Sequence, residues 1–239
     1  MKKLIITILC FCGIASFAQN GFFLQPEIGG GISNTCWQPF TFKGLPGQQS
    51  ILSYQGQVDA GYNAGKWRFS TGVGYLLTGV HLQPGSIANF NNYVVIPFAE
   101  TNNLFIPYSE KITDYNPHII IPLKVAYEVK QFNDRLSFVP QIGAEFAMNQ
   151  RRTFVFSNSV KQEESASDFK SACNPHSIMG MVQLNFEYRL NSHYAITAGP
   201  SAHYMFTSEL NFKDQQDYAV LMNLGLKWNF RKHTDIHTR

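Results

Sequence analysis

Hydrophobic and polar side chains alternate along eight stretches of the chain. In residues 66–79, aromatic and aliphatic side chains occupy almost every second position from Trp67 to Leu77, with mostly small or polar residues between them. A period of two is typical of a β-strand whose two faces differ. The pattern predicts eight amphipathic strands, at residues 22–32, 54–62, 66–79, 119–127, 136–146, 178–188, 194–204 and 218–230.

The connections between these strands alternate between short and long. The short ones read "NAGK", "KQFNDR" and "NSH", and this composition is typical of tight antiparallel turns. The long ones cover residues 34–50, 83–117, 150–175 and 207–217. One end of the predicted sheet therefore has short turns, and the other end carries long loops.

Two architectures fit eight antiparallel strands with one apolar face each. A soluble barrel or sandwich buries the apolar face, whereas a transmembrane barrel turns that face outward to lipid. The strands are about 10–13 residues long, which suits a tilted membrane crossing better than the ~5–6 residues of an average strand. The polar face is rich in Gly, Ser, Gln and Asn rather than Lys and Glu. We therefore predict an eight-stranded antiparallel up-and-down transmembrane β-barrel in which Trp67, Phe69, Val73, Tyr75 and Leu77 face lipid.

Aromatic and charged residues sharpen this prediction. Aromatic side chains of the apolar face lie next to the short turns and the end of the last strand, as expected for a ring at a membrane interface. The predicted girdle consists of Tyr62, Trp67, Phe69, Tyr127, Phe138, Tyr188, Tyr194, Trp228 and Phe230. Buried charges need partners, and the polar face carries five acids and four bases. The predicted lumen charge network consists of Glu27, Asp59, Arg68, Lys124, Glu128, Glu145, Glu187, Arg189 and Lys227.

The first residues have the pattern of a secretory signal peptide. Lys2 and Lys3 precede a short apolar core, and Ser16 and Ala18 supply small residues before a cleavage site ahead of Gln19. We therefore divide the chain into a signal peptide (1–18), a barrel domain (19–230) and a tail (231–239). Charged residues make up 15% and the formal net charge is +3 without a basic run, so no nucleic-acid partner is expected.

Two cysteines and one Ser–His pair are the candidates for special chemistry. Cys36 and Cys173 lie in long loops at the same end, and an exported chain meets an oxidising compartment, so they form a candidate disulfide. Ser201 and His203 share the inward face, with Glu145 or Glu187 as possible neighbours, and such a pair could act in a hydrolase. No nucleophile motif surrounds the pair, and the histidines are not spaced as metal ligands. We therefore expect structural filling, no enzyme activity, no metal and no cofactor.

The chain resembles the small outer-membrane β-barrel proteins of the Bacteroidetes group. The resemblance is carried by "SFAQN" at the end of the signal peptide, by "HIIIPLKVAYEV" at 118–129 and by the eight-strand pattern. It implies an outer-membrane barrel with both termini in the periplasm, short periplasmic turns and long extracellular loops. One departure is the tail after Phe230, because many such barrels end on an aromatic residue.

The predicted function is a non-enzymatic outer-membrane barrel with a side-chain-filled lumen that displays surface loops. Its expected partners are outer-membrane lipid and, through the 83–117 loop, an envelope or extracellular protein. That loop holds a near-repeat, residues 91–100 and 102–110, which suggests a projecting hairpin with exposed apolar side chains. Two alternatives stay open: a lipid-modifying enzyme that uses Ser201 and His203, and a soluble periplasmic lipocalin-like carrier with the apolar face lining a cavity.

Overall fold

The fold is known from a computed structural model, which describes residues 21–36, 48–82, 112–150, 153–156, 161–163, 175–207 and 216–230. The signal peptide, the near-repeat of the longest loop and the tail lie outside the described residues. No helix in the described part of the chain is long and apolar enough to span a membrane.

The described residues form a single sheet of eleven strands. These are β1 (Gly21–Cys36), β2 (Gln48–Ala64), β3 (Trp67–Leu82), β4 (Ile112–Tyr127), β5 (Lys130–Gln131), β6 (Leu136–Asn149), β7 (Thr153–Phe156), β8 (Lys161–Glu163), β9 (His176–Arg189), β10 (Tyr194–Met205) and β11 (Gln216–Asn229).

The eight long strands close into a barrel. Each of them pairs antiparallel with the long strand that follows it in sequence, so that β4 pairs with β6 and β6 with β9. Closure comes from β11, which pairs with β1 in a register that places Asn229 opposite Phe23. The predicted fold class, an eight-stranded up-and-down antiparallel barrel, is confirmed.

Residues on the two faces of each strand differ sharply in exposure. Leu123 and Ile142 are 65% and 62% exposed, whereas Lys124 and Glu145 are 3% and 0% exposed. A continuous apolar exterior around a polar interior is the arrangement of a membrane-spanning barrel. The soluble-carrier alternative is therefore wrong, because it requires the apolar faces to line a cavity.

One residue of the predicted lipid-facing set is not exposed. Leu77 is only 8% exposed, although it follows the outward parity of Val73 and Tyr75. It lies opposite Tyr54, where the pairing of β2 with β3 resumes after an irregularity between Ser50 and Tyr54. A regular alternation of apolar and polar residues in the sequence does not reveal such a local irregularity in strand pairing.

The strands also extend into segments that the sequence analysis treats as loops. β4 begins at Ile112, which pairs with Leu82, so the predicted 83–117 loop is shorter. Within the predicted 150–175 loop, β7 and β8 form a hairpin, and Thr153 of β7 pairs with Tyr115 of β4. A strand that continues beyond the bilayer no longer needs a lipid-facing apolar side, so the alternation that marks a strand is lost there.

Candidate functional site

The lumen of the barrel is layered along its axis. On β11, the inward side chains change from Asp217 at the loop end to Ala219 and Leu221, then to Asn223, and finally to Lys227 at the turn end; all five are at most 2% exposed. The lumen therefore has a polar layer, an apolar layer, an amide-rich middle and a charged end.

The turn end holds a charge cluster of Arg68, Glu128, Glu187, Arg189 and Lys227. The Arg68 guanidinium donates to Glu187, with one Nη2–Oε1 distance of 3.1 Å, and to Glu128 Oε2 at 3.2 Å. Lys227 Nζ lies 3.4 Å from Glu187 Oε2, and Arg189 Nη2 lies 3.2 Å from Glu128 Oε2. Strands β3, β9 and β11 each supply part of the cluster, so its ion pairs bridge strands that are not neighbours in the sheet.

The middle of the lumen contains two buried carboxylates with different partners. Asp59 Oδ2 lies 2.8 Å from Lys124 Nζ in an ion pair. Glu27 instead accepts hydrogen bonds from the amides of Gln57, Gln183 and Gln25 at 2.9, 3.1 and 3.2 Å. The sequence places these glutamines on the polar face but does not identify them as the partners of Glu27.

Glu145, His203 and Ser201 form a hydrogen-bonded chain beside this middle layer. His203 Nδ1 lies 2.9 Å from Glu145 Oε2, and His203 Nε2 lies 3.0 Å from Ser201 Oγ. Asn223 donates to Ser201 Oγ at 2.7 Å. The order hydroxyl, imidazole, carboxylate is that of a nucleophile activated by a base and an orienting acid. Of the two acids named from the sequence, the structure brings Glu145 to the pair and places Glu187 in the charge cluster.

Gly29 makes room for the side chain of Asn223, which donates to Ser201 at the end of the hydrogen-bonded series. A Cβ atom on Gly29 would lie 2.0 Å from Asn223 Oδ1. Gly29 pairs with Asn223 across β1 and β11, so the amide of Asn223 occupies the space that any larger residue at position 29 would need. The run of three glycines at residues 29–31 is thus explained in part by close contact inside the lumen.

An apolar layer crosses the lumen toward the loop end. It consists of Leu76, Ile120, Ala147, Met179, Met205, Ala219 and Leu221. All of them are at most 1% exposed, and all have inward-facing positions that the sequence pattern assigned to the polar face or left unassigned. Such exceptions are missed because alternation is an average over a strand, whereas this layer uses one or two positions from each of six strands.

Beyond the apolar layer, polar side chains converge on one carboxylate. Asp217 accepts hydrogen bonds from Thr35 and Thr78, both at 2.6 Å, and from Asn116 at 3.0 Å. His118 Nε2 lies 2.9 Å from Thr78 Oγ1. In the described part of the lumen, a void of about 10 Å³ near Asp59 and Glu187 has room for about one water molecule.

On the outer surface, the aromatic residues named from the sequence lie beside the short turns. Ring centroids are 4.7 Å apart for Trp67 and Tyr127 and for Trp228 and Phe230, and 6.2 Å apart for Tyr194 and Trp228. The remaining members are exposed or half-buried on the same face, at Tyr62, Phe69, Phe138 and Tyr188. This end of the barrel therefore carries a band of contacting rings.

The Cys36 side chain is buried at the end of β1. Its Sγ donates to the carbonyl oxygen of Gln216 at 3.3 Å and lies 3.7 Å from the hydroxyl of Tyr204. Cys173 lies outside the described residues, so the Cys36–Cys173 disulfide stays a prediction. Within the described ranges, no group of three or more His, Cys, Asp or Glu side chains is placed to hold a metal ion.

No protein-family model and no curated protein sequence matches the chain. Among solved structures, the chain is similar to Neisserial surface protein A (NspA), with 14% identity over 89% of this chain and 100% of that one and a TM-score of 0.46. A major outer membrane protein from Thermus thermophilus is 10% identical over 87% and 99%, with a TM-score of 0.47. Outer Membrane Protein W from E. coli is 11% identical over 90% and 100%, with a TM-score of 0.43. Sequence identities and TM-scores this low do not indicate a function for this chain. Membership of the Bacteroidetes family of small outer-membrane barrels stays a prediction.

Proposed function

We propose that the protein is an integral outer-membrane barrel with a closed lumen, which anchors surface loops and has no enzymatic activity of its own. The observation that supports this most directly is the apolar layer, which is formed by Leu76, Leu221 and five other buried side chains. This layer lies across the axis along which a solute would have to pass. An ion that crosses it would lose its hydration, at an idealised cost on the order of 20 kcal/mol. We therefore assign the lumen a structural role.

The proposed orientation follows from the two ends of the barrel. β1 begins and β11 ends beside the short turns, since Phe23 pairs with Asn229. In bacterial barrels of this kind the short turns are periplasmic and the long loops are extracellular. We accordingly place both termini in the periplasm and the loops, including residues 83–111 with the near-repeat, at the cell surface, where they would contact a protein partner. The apolar exterior contacts outer-membrane lipid.

The closed lumen is tested by recording current across planar bilayers that contain the purified barrel. We expect no single-channel steps, with a general porin inserted under the same conditions as the positive control. Heat-modifiable migration on a gel shows that the inserted protein is folded. Regular conductance steps from folded protein would contradict the proposal.

Loop display is tested separately by deleting residues 91–110. We expect the shortened chain to fold and insert as the full chain does, because the eight barrel strands are intact. Partners recovered by cross-linking on intact cells should be lost with the deletion. If the same partners are recovered without these residues, the binding surface lies elsewhere.

A lipid-modifying hydrolase is the second candidate, and the Ser201–His203–Glu145 hydrogen-bond chain is the observation that favours it. Access argues against it, because the three side chains are 3%, 2% and 0% exposed and point into the lumen rather than toward lipid. The discriminating experiment compares envelope lipids from cells that carry the natural protein or Ser201→Ala. Under the anchor proposal the two profiles are the same; a lipid species that disappears only with natural Ser201 would favour the enzyme.

A further inference from the structure

A groove of about 420 Å³ indents the outer surface of the barrel across β6, β9, β10 and β11. We call it the outer groove. Its rim includes Ile142, Val182 and Val220, which are 62%, 50% and 49% exposed. Its floor includes Met181 and His203, whose side chains point into the lumen, so the groove reaches down to the strand backbones. Its lining is almost entirely apolar.

Two small residues create this depression. Ala202 pairs with Val182 on one side and with Val220 on the other, and it is the smallest side chain of that row. Gly180 pairs with Tyr204 in the next row toward the loops. A Cβ atom on Gly180 would lie 2.6 Å from the ring of Phe206, so this ring lies over the glycine and closes one end of the groove.

The place of the outer groove on the barrel limits what can occupy it. It extends from the row of Ala202 toward Tyr204, Phe206 and Tyr218, the last residues of the wall before the loop that joins β10 and β11. It is continuous with the exposed apolar surface on both sides, which is the surface that contacts lipid. Its volume lies in the ~300–1,000 Å³ range of small-molecule pockets. A hydrocarbon chain can enter it sideways without leaving the apolar part of the bilayer.

We propose that the outer groove holds one acyl chain of a membrane lipid from the leaflet at the loop end. Apolar walls that face empty space lose their dispersion contacts, and a flexible acyl chain restores them along a curved surface. The aromatic residues at the loop end would then stop the chain near the interface. The inference is independent of the closed lumen and of the Ser201–His203 pair, because the groove is on the other side of the barrel wall.

Native mass spectrometry of barrels taken from phosphatidylethanolamine–phosphatidylglycerol vesicles tests this proposal. Ala202→Phe fills the groove, and Ala198→Phe is the matched control, since Ala198 is also exposed on the outward face of β10 but does not line the groove. We expect the natural chain and Ala198→Phe to retain one phospholipid. Ala202→Phe should lower the retained fraction about tenfold, comparable to the loss of burial of roughly two methylene groups.

Ala202→Leu provides a milder filling and should give an intermediate loss. If Ala202→Phe does not show heat-modifiable migration and is therefore not folded, Ala202→Leu is the variant that tests the proposal. Equal lipid retention by the groove-filling variants and Ala198→Phe overturns the proposal. It is also overturned if the species that filling abolishes is a dimer of the chain, since the groove would then hold a second copy.

Discussion

At the turn end of the lumen, Arg68 and Lys227 converge on Glu187, whereas toward the loop end Leu76 and Leu221 meet in the apolar layer. Both groups occupy inward positions of the same strands, and Glu187 and Lys227 are as deeply buried as Leu76 and Leu221. The ion pairs are directional and join strands that are not neighbours, so they fix how opposite walls of the barrel face each other. The apolar layer is not directional, and its effect is to exclude water. One barrel thus uses two kinds of contact to fill its interior.

Loss of a buried charge at the turn end should have the largest effect. Glu187→Gln leaves Arg68, Arg189 and Lys227 with Glu128 as their remaining carboxylate in the cluster. Removing one partner of a buried pair typically costs about 3–5 kcal/mol. We expect a decrease of that size in the free energy of unfolding, measured by urea titration of the barrel in detergent micelles with tryptophan fluorescence.

Glu128→Gln is the control for this prediction. The Glu128 side chain is 16% exposed, against 3% for Glu187, so water compensates part of the loss and the decrease should be smaller. If the two variants lose the same free energy of unfolding, burial of the cluster does not set its contribution.

A cavity in the apolar layer should have the next largest effect. Leu76→Ala removes a fully buried side chain, and such changes cost about 2–5 kcal/mol. We expect a loss at the low end, because Met179 and Met205 are flexible and fill part of the space. Unlike the loss in Glu187→Gln, this one should not depend on salt concentration. A salt-dependent loss would show that the layer is not dry.

The outer face of the barrel follows from the sequence more directly than the contacts inside the lumen do. The eight strands, their closed order and their outward faces were predictable, because lipid on one side imposes a regular period of two. Polar inward residues such as Lys124 and Gln183 were placed on the correct face for the same reason. Their partners were not predictable, because the Asp59–Lys124 pair depends on barrel closure and not on spacing in the sequence. The apolar layer was missed, since Leu76 and Ile120 break the average pattern.

Ser201→Ala should have a moderate effect on the middle of the lumen. The substitution removes the acceptor of Asn223 Nδ2 and the hydroxyl beside His203 Nε2. Hydrogen bonds between neutral groups contribute about 0.5–1.5 kcal/mol each, so we expect a loss of about 1–2 kcal/mol by urea titration. Ala198→Ser, on the outer face of the same strand, is the control and should leave the hydrogen-bond chain intact. An unchanged free energy of unfolding in Ser201→Ala would show that the hydrogen bonds of Ser201 with His203 and Asn223 do not contribute to stability.

The smallest effect is expected at the exposed edge of the charge cluster. The Arg189 side chain is 38% exposed, while the Glu128 carboxylate that it contacts is 16% exposed. Solvent and salt screen such a pair, and exposed ion pairs typically contribute about 0.2–1 kcal/mol. Arg189→Gln should therefore lower the free energy of unfolding by less than about 1 kcal/mol in low salt. The loss should shrink further at high ionic strength, because the Debye length falls to about 3 Å at 1 M salt. A loss as large as that of Glu187→Gln, unchanged by salt, would mean that the turn end excludes solvent as completely as the apolar layer does, and the contrast between the two ends would disappear.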